Sequence, residues 1–265
     1  LDENGRGIAA NIAAAINDNT VMVAASAPSW HYANIDPIPE MAAEAADAGL
    51  WMQVDSCVGG YINKKKKKLG EKLTPWDFRV PGVMSISADL HKYGYCPKPA
   101  STIYWRDAAL QDYHYVAIED PHLGLYKLAG FSGSRSAGPI FAAWSVFNYL
   151  GEEGYLRLTR RVLELKQRLT AGVSAIEGLK VWQVDVMPMH FHSEKAPTAA
   201  VYQGLLDKGW LMLGLVHPEA ITICVDPALS DEDMALFLAD LREVTEKILA
   251  GGAAKRRRSR RALRS

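Results

Sequence analysis

Two short apolar runs, residues 21–25 and 50–54, flank a turn-rich loop and a stretch of helical spacing. That order constrains the fold more than any other feature of the chain. Each run is too short for a helix and reads as a buried strand. The loop, 26–38, opens a helix over about 37–48, with Pro39 and Glu40 in its first turn, where a fixed φ and a negative charge suit a helix start. Strand, helix, strand is a βαβ unit, which implies a parallel sheet with a right-handed crossover. Ligands of such sheets sit beyond the carboxyl ends of the strands.

A third apolar run, 80–86, turns polar abruptly and presents Asp89, His91 and Lys92 within four positions. A lysine at the end of a buried strand is partly desolvated, which is expected to lower its pKa and free the amine as a nucleophile. An enzyme needs such an amine to hold an aldehyde cofactor as a Schiff base. Taken alone, the pair also reads as a solvated loop lysine beside a loop histidine. Asp55 directly follows the 50–54 strand, where a carboxylate usually serves as a helix cap, or else as a metal ligand. Cys57, read alone, is a small buried hydrophobe.

The stretch Ser85-Ile86-Ser87-Ala88-Asp89-Leu90-His91-Lys92-Tyr93-Gly94-Tyr95-Cys96-Pro97-Lys98 resembles the cofactor-lysine segment of the sphingosine-1-phosphate lyase family. These are pyridoxal-phosphate enzymes of fold type I, related to the group II amino-acid decarboxylases. Val54-Asp55-Ser56-Cys57-Val58-Gly59-Gly60, Ser26-Ala27-Pro28, Ile35-Asp36-Pro37-Ile38 and the stretch 74–83 resemble the family too, so the likeness covers most of residues 1–155 and fades beyond. The resemblance implies that Lys92 bears pyridoxal 5'-phosphate, with His91 by the cofactor ring and phosphate. It makes Asp55 the partner that keeps the ring nitrogen protonated, so that the ring accepts carbanion electrons. It sets Cys57 against one face of the ring and brings Ser87 and Asp89 into the cofactor site. Lys98, with Tyr93 and Tyr95, is expected to hold a substrate phosphate, which needs a cation and hydroxyl donors on a rigid turn. Gly133 and Ser134 lie in a glycine- and serine-rich loop, 128–138. By resemblance this loop reaches the cofactor phosphate of a neighbouring subunit, making the active unit a homodimer. Two departures stand out: Tyr32-Ala33 replaces a usual His-Gly, leaving Tyr32 and His31 as candidate substrate contacts only, and Pro99 replaces a glycine.

The resulting expectation is an α/β chain in three parts. Residues 1–153 form part of a fold type I large domain, with a mainly parallel sheet and helices on both faces. Residues 154–250 form a linking helix and a small α+β domain, and 251–265 a disordered basic tail. The small domain is read as strand 180–186, helix 198–206, strands 210–215 and 221–226, and helix 231–249 opened by Ser230. Gly251-Gly252 is expected to end the fold. His190-x-His192 has ligand spacing, but no third ligand lies nearby in sequence, so no metal site is expected. The chain begins at Leu1 rather than Met, and the family's upstream glycine/threonine phosphate loop and ring-stacking aromatic are not in the sequence, so an N-terminal part is expected to be missing.

Charge and cysteines narrow the partners. The last eleven residues hold seven Lys or Arg, leaving 23 basic against 30 acidic residues elsewhere, so the body is not built for nucleic acid. Lys64 to Lys68 read as a solvated helix face or mobile loop, with contact to an anionic lipid surface as the lesser reading. Three cysteines, Cys57, Cys96 and Cys224, have no paired spacing, which suits a reducing, cytoplasmic setting. No apolar run is long enough for a membrane helix. The function expected by resemblance is retro-aldol cleavage of a phosphorylated long-chain amino alcohol to an aldehyde and phosphoethanolamine. An amino-acid decarboxylase, or a non-catalytic fragment without the phosphate loop, are the alternatives.

Overall fold

The computed structural model describes residues 1–262 except Leu123 and Phe131, with side chains as far as Gly251. It divides into two compact units, one of Leu1–Ser29 with Asn34–Leu156, the other of Trp30–Ala33 with Arg157–Ser265.

The first unit holds α1 (Ala9–Ala15), β1 (Met22–Ser26), α2 (Ile38–Asp47), β2 (Trp51–Asp55), α3 (Gly59–Lys68), β3 (Val83–Ala88) and β4 (Thr102–Trp105). The four strands lie in that order in one sheet. β1, β2 and β3 run parallel with their carboxyl ends level, since Asp55 pairs with Ser26 on one side and Ser87 on the other. β4 runs antiparallel to β3, with Ala88 opposite Thr102. Val23, Ala25, Met52, Val54 and Ile86 are buried, and α2 brings Ile38, Met41, Ala42 and Ala45 to the core. Side chains alternate along each strand, so Gln53, Asp55, Ser85 and Ser87 share the opposite, more polar face.

Two local devices fix the strand ends. Asp36 accepts from the N–H of Ser26 and of Gly7, both at 2.7 Å, which ties the loop after β1 back to its strand. Gly59 begins α3 so close to β1 that a Cβ there would lie 2.0 Å from the Ala27 carbonyl oxygen. Only glycine permits that approach.

α3 contains the five lysines. They are not uniformly solvated: Lys66 is 4% exposed, whereas Lys64, Lys67 and Lys68 face water. Five consecutive helical residues sweep more than a full turn, so one must face inward, and a lysine can bury its aliphatic stem there. A 3₁₀ turn (Ala108–His114) and an unexpected hairpin, β5 (Tyr115–Asp120) with β6 (Gly124–Ala129), precede the long α4 (Gly138–Ser174). The stretch α4 is two helices that meet at a kink at Gly151, whose φ is +54° and ψ −171°.

The second unit takes the later half of α4, then β7 (Leu179–Val181), β8 (Met189–Ser193), α5 (Thr198–Asp207), β9 (Leu213–Val216), β10 (Glu219–Ile223) and α6 (Asp231–Ala262). Its antiparallel sheet has the order β7-β8-β10-β9. Leu165, Leu169, Phe191, Leu205 and Ile221 are fully buried in it. The strand expected over 180–186 ends at Val181, and β8 was not anticipated. Ser230 does cap α6: its Oγ accepts from Asp233 N at 2.9 Å and donates to the Asp233 carboxylate at 2.7 Å. The expected stop at Gly251-Gly252 is corrected, because α6 continues to Ala262. Alanine and arginine flank the glycines, and their propensity offsets a cost of about 1 kcal/mol per glycine. Residues 263–265 of the expected tail lie outside the described residues. Among the described residues no helix is long and apolar enough to cross a membrane.

Candidate active site

Asp55 ends β2 with an exposed carboxylate. Its Oδ1 accepts from Cys57 N at 2.9 Å and from Ser87 Oγ at 3.1 Å, the latter from the neighbouring strand end. The turn that follows is clamped from below. Buried Ser56 donates to Ala27 O at 2.7 Å, and buried Asn63 donates to the same oxygen at 3.1 Å.

β3 ends at Ala88, and Asp89 N donates to Cys57 O at 3.2 Å, joining the two strand-end turns. The chain then coils tightly: Lys92 N donates to Asp89 O, Tyr95 N to Lys92 O and Cys96 N to Leu90 O. Gly94 is required here, because a Cβ would lie 2.4 Å from Leu90 O. This coil brings Lys92 Nζ to 3.0 Å from Asp89 Oδ2, with His91 Nε2 3.5 Å from the same oxygen. His91 Nδ1 sits 2.6 Å from Ala100 O, which orients the ring. Cys57 lies within hydrogen-bonding reach of Lys92.

The electrostatics reverse one expectation. Burial does push the Lys92 pKa down, but Cys57 and the Asp89 carboxylate outweigh it, and the lysine is held above its ordinary value. An adjacent anion stabilises an ammonium more than partial burial destabilises it. Burial raises the Cys57 thiol, with Lys92 acting in the opposite direction. Burial also acts to raise Asp89, yet Ser101, Lys92 and His91 together hold its carboxyl below the usual range.

Lys92, Asp55, His91, Cys57, Ser87 and Asp89 are therefore brought together around the ends of β2 and β3. Tyr93 and Tyr95 follow directly, edge to face at 6.2 Å, and Tyr95 stacks on Tyr155, whose hydroxyl donates to Gly94 O at 2.8 Å. Lys98 is exposed. Gly133 and Ser134 stand in the exposed loop between β6 and α4, with open space around Gly133. Tyr32 groups with the second unit, stacked on Trp182 at 6.1 Å. Ser101 and Ala100, which hold Asp89 and His91, were missed by sequence reasoning. Their signal is the antiparallel β4, which returns residues just before Thr102 to the end of β3. A separate cavity of about 1150 Å³ in the first unit is lined by α3 lysines, Trp76, Phe78, Phe147 and Tyr155. None of the cluster residues lines it. Among the described residues no group of three or more metal-ligating side chains occurs.

Residues 1–189 match the model of the pyridoxal-dependent decarboxylase conserved domain. The chain belongs to the pyridoxal-dependent decarboxylase family. Within that family it is 38% identical over 240 residues to a sphingosine-1-phosphate lyase of Arabidopsis thaliana, a match covering 89% of this chain and 43% of the plant protein. A probable L-tyrosine/L-aspartate decarboxylase of Methanothermobacter thermautotrophicus is 28% identical over 92% of this chain and 67% of its own length. The solved structure of a sphingosine-1-phosphate lyase of Burkholderia pseudomallei superposes with a TM-score of 0.86 at 35% identity, covering 98% of this chain and 60% of that one. The fold is that of the fold type I pyridoxal-phosphate enzymes, and the chain spans less than half the length of the plant lyase. The family's cofactor is pyridoxal 5'-phosphate. The donor set fits it: a primary amine, an imidazole, a thiol and a carboxylate converge at the strand ends.

Proposed function

We propose that this chain carries the lysine-bearing part of a pyridoxal-phosphate-dependent carbon–carbon lyase. Its substrate would be a phosphorylated long-chain amino alcohol, cleaved to an aldehyde and phosphoethanolamine. The observation that carries the reading is Lys92 beside Cys57, whose own N–H donates to Asp55, just beyond the level ends of two parallel strands. The bound cofactor supplies an electron sink for the carbanion left by bond cleavage. Lys92 would hold the aldehyde group, and Asp55 would keep a proton on the ring nitrogen. His91, fixed by Ala100, would border the ring, Cys57 would pack on one face, and Ser87 and Asp89 would hold these groups in place. Lys98 with Tyr93 and Tyr95 binds the substrate phosphate, where the tight coil gives a cation and hydroxyls a common origin. Gly133 and Ser134 serve the cofactor phosphate of a second copy, so the working unit is a homodimer. Tyr32 stays a candidate substrate contact. Three free thiols support a cytoplasmic setting.

An amino-acid decarboxylase is the second reading, favoured by the archaeal relative and by the family model. Adding pyridoxal phosphate to the protein is expected to produce a visible absorption band that is lost in Lys92→Ala. Product analysis then separates the two chemistries: an aldehyde with phosphoethanolamine supports the lyase, and carbon dioxide from an amino acid overturns it. Equal uptake by wild type and Lys92→Ala would sink both.

A further inference from the structure

Asp89 touches both cationic members of the cluster. Its Oδ2 lies 3.0 Å from Lys92 Nζ and 3.5 Å from His91 Nε2, while Ser101 Oγ donates to its Oδ1 at 2.5 Å. Its own N–H is tied to Cys57 O, and its side chain is only 14% exposed. An exposed ion pair three residues apart on a turn contributes little, because two mobile side chains must be ordered and water competes. Here the carboxylate is fixed at both ends and partly shielded, so the pair persists and the bond is charge-assisted.

We propose that Asp89 is a positioning residue for Lys92: clamped by Ser101, it holds the cofactor-free amine as an ammonium and sets the pH above which that lysine reacts with an aldehyde. The inference deepens the reading of Lys92 as the aldehyde-bearing lysine and rests on it. The reaction requires the ammonium to lose one proton to solvent. The amine lone pair then forms the nitrogen–carbon bond, and the two amine hydrogens leave with the carbonyl oxygen as water. Every step starts from the neutral amine, so a fixed anion beside it delays reaction to higher pH. The groups facing Lys92 are Asp89 and His91 on its own turn and Cys57 from the turn after β2, with Asp55 beyond Cys57. Cys57 and Asp89 both act to raise Lys92, and Asp89 is the carboxylate in ion-pair contact with it.

The test uses a small aldehyde, formaldehyde with cyanoborohydride, on the cofactor-free protein across a pH series. Modification of Lys92 is read by peptide mass spectrometry, with exposed Lys72 as internal reference. Asp89→Asn, which keeps the side chain's shape, is expected to lower the Lys92 midpoint by about one pH unit or more. Ser101→Ala is expected to lower it by less, in the same direction. A Lys92 midpoint that stays put or rises in Asp89→Asn, with Lys72 unmoved, overturns the proposal. Should Asp89→Asn fail to fold, Ser101→Ala decides alone: a downward shift supports the proposal and an unchanged midpoint overturns it. Formaldehyde needs no cofactor site. A shifted profile in a protein that takes up no pyridoxal phosphate would therefore sink the functional reading and leave this one standing.

Discussion

Two histidine pairings in this chain invite comparison, one at a strand end and one in a strand interior. His91 follows β3, half-buried, with Ala100 O on one nitrogen and Asp89 within 3.5 Å of the other, beside a lysine amine. His190 sits inside β8 and is fully buried. Its Nδ1 lies 2.9 Å from Thr222 Oγ1, and its Nε2 has no hydrogen-bond partner among the described residues. Two positions on, His192 accepts from Trp182 Nε1 at 2.7 Å. Both regions look chemical in sequence. Only the first lies beyond the carboxyl end of a parallel sheet, where side chains leave the core and a ligand can reach them. The second is packing that happens to use imidazole, and its cost is borne by stability.

The largest effect that would sharpen this contrast is truncation between the two β8 histidines. Phe191 is fully buried, and Phe191→Ala should destabilise the second unit by about 3–5 kcal/mol, read as a shift of the urea midpoint. A loss under about 1 kcal/mol would mean that β8 is not core. The next effect is pH dependence. Burial, then the charges of His31 and Lys166, lower the His190 pKa from 6.5 to about 4. The unfolded chain thus takes up this proton more readily than the folded one. The contribution is fully present above pH 6.5 and is lost as pH falls toward 4, reaching about 3 kcal/mol. Urea titrations at a series of pH values should show that slope in the wild type and a flatter one in His190→Gln. Equal slopes would place the acid sensitivity elsewhere.

How much of this was legible beforehand follows from the same distinction. β1, β2 and β3 fall within a few residues of the apolar runs that announced them, because buried parallel strands are written as continuous apolar stretches. Asp55 and Lys92 were found for the same reason, Asp55 directly after its run and Lys92 in the polar stretch that follows the third. Ser101 and Ala100 were not, since their reach depends on the sense of β4, which a four-residue strand does not encode. The β5–β6 hairpin is largely exposed and leaves no alternating apolar signal. β8 was obscured by histidines standing where apolar residues are expected, and His190 is as buried as the Phe191 beside it. The charge state of Lys92 was misjudged because desolvation can be inferred from a strand end, whereas Asp89 turning back onto the amine is a property of the coil. Lys66 differs from its four neighbours only by helical phase.

The smallest predicted effect tests the comparison from the other side. If His91 is placed for a ligand rather than for the core, losing it should cost little stability. Its side chain is 18% exposed and its clearest tie is the contact with Ala100 O at 2.6 Å, so His91→Ala should lower the unfolding free energy by about 1 kcal/mol. Uptake of pyridoxal phosphate, followed by its absorbance, should weaken in the same variant, because the imidazole borders the proposed ring position. His192→Ala should do the reverse: Trp182 loses its acceptor at a cost of similar size, and uptake is unchanged. Should His91→Ala cost several kcal/mol with uptake intact, the imidazole at the strand end would be packing as well, and the line between the two regions would fall elsewhere.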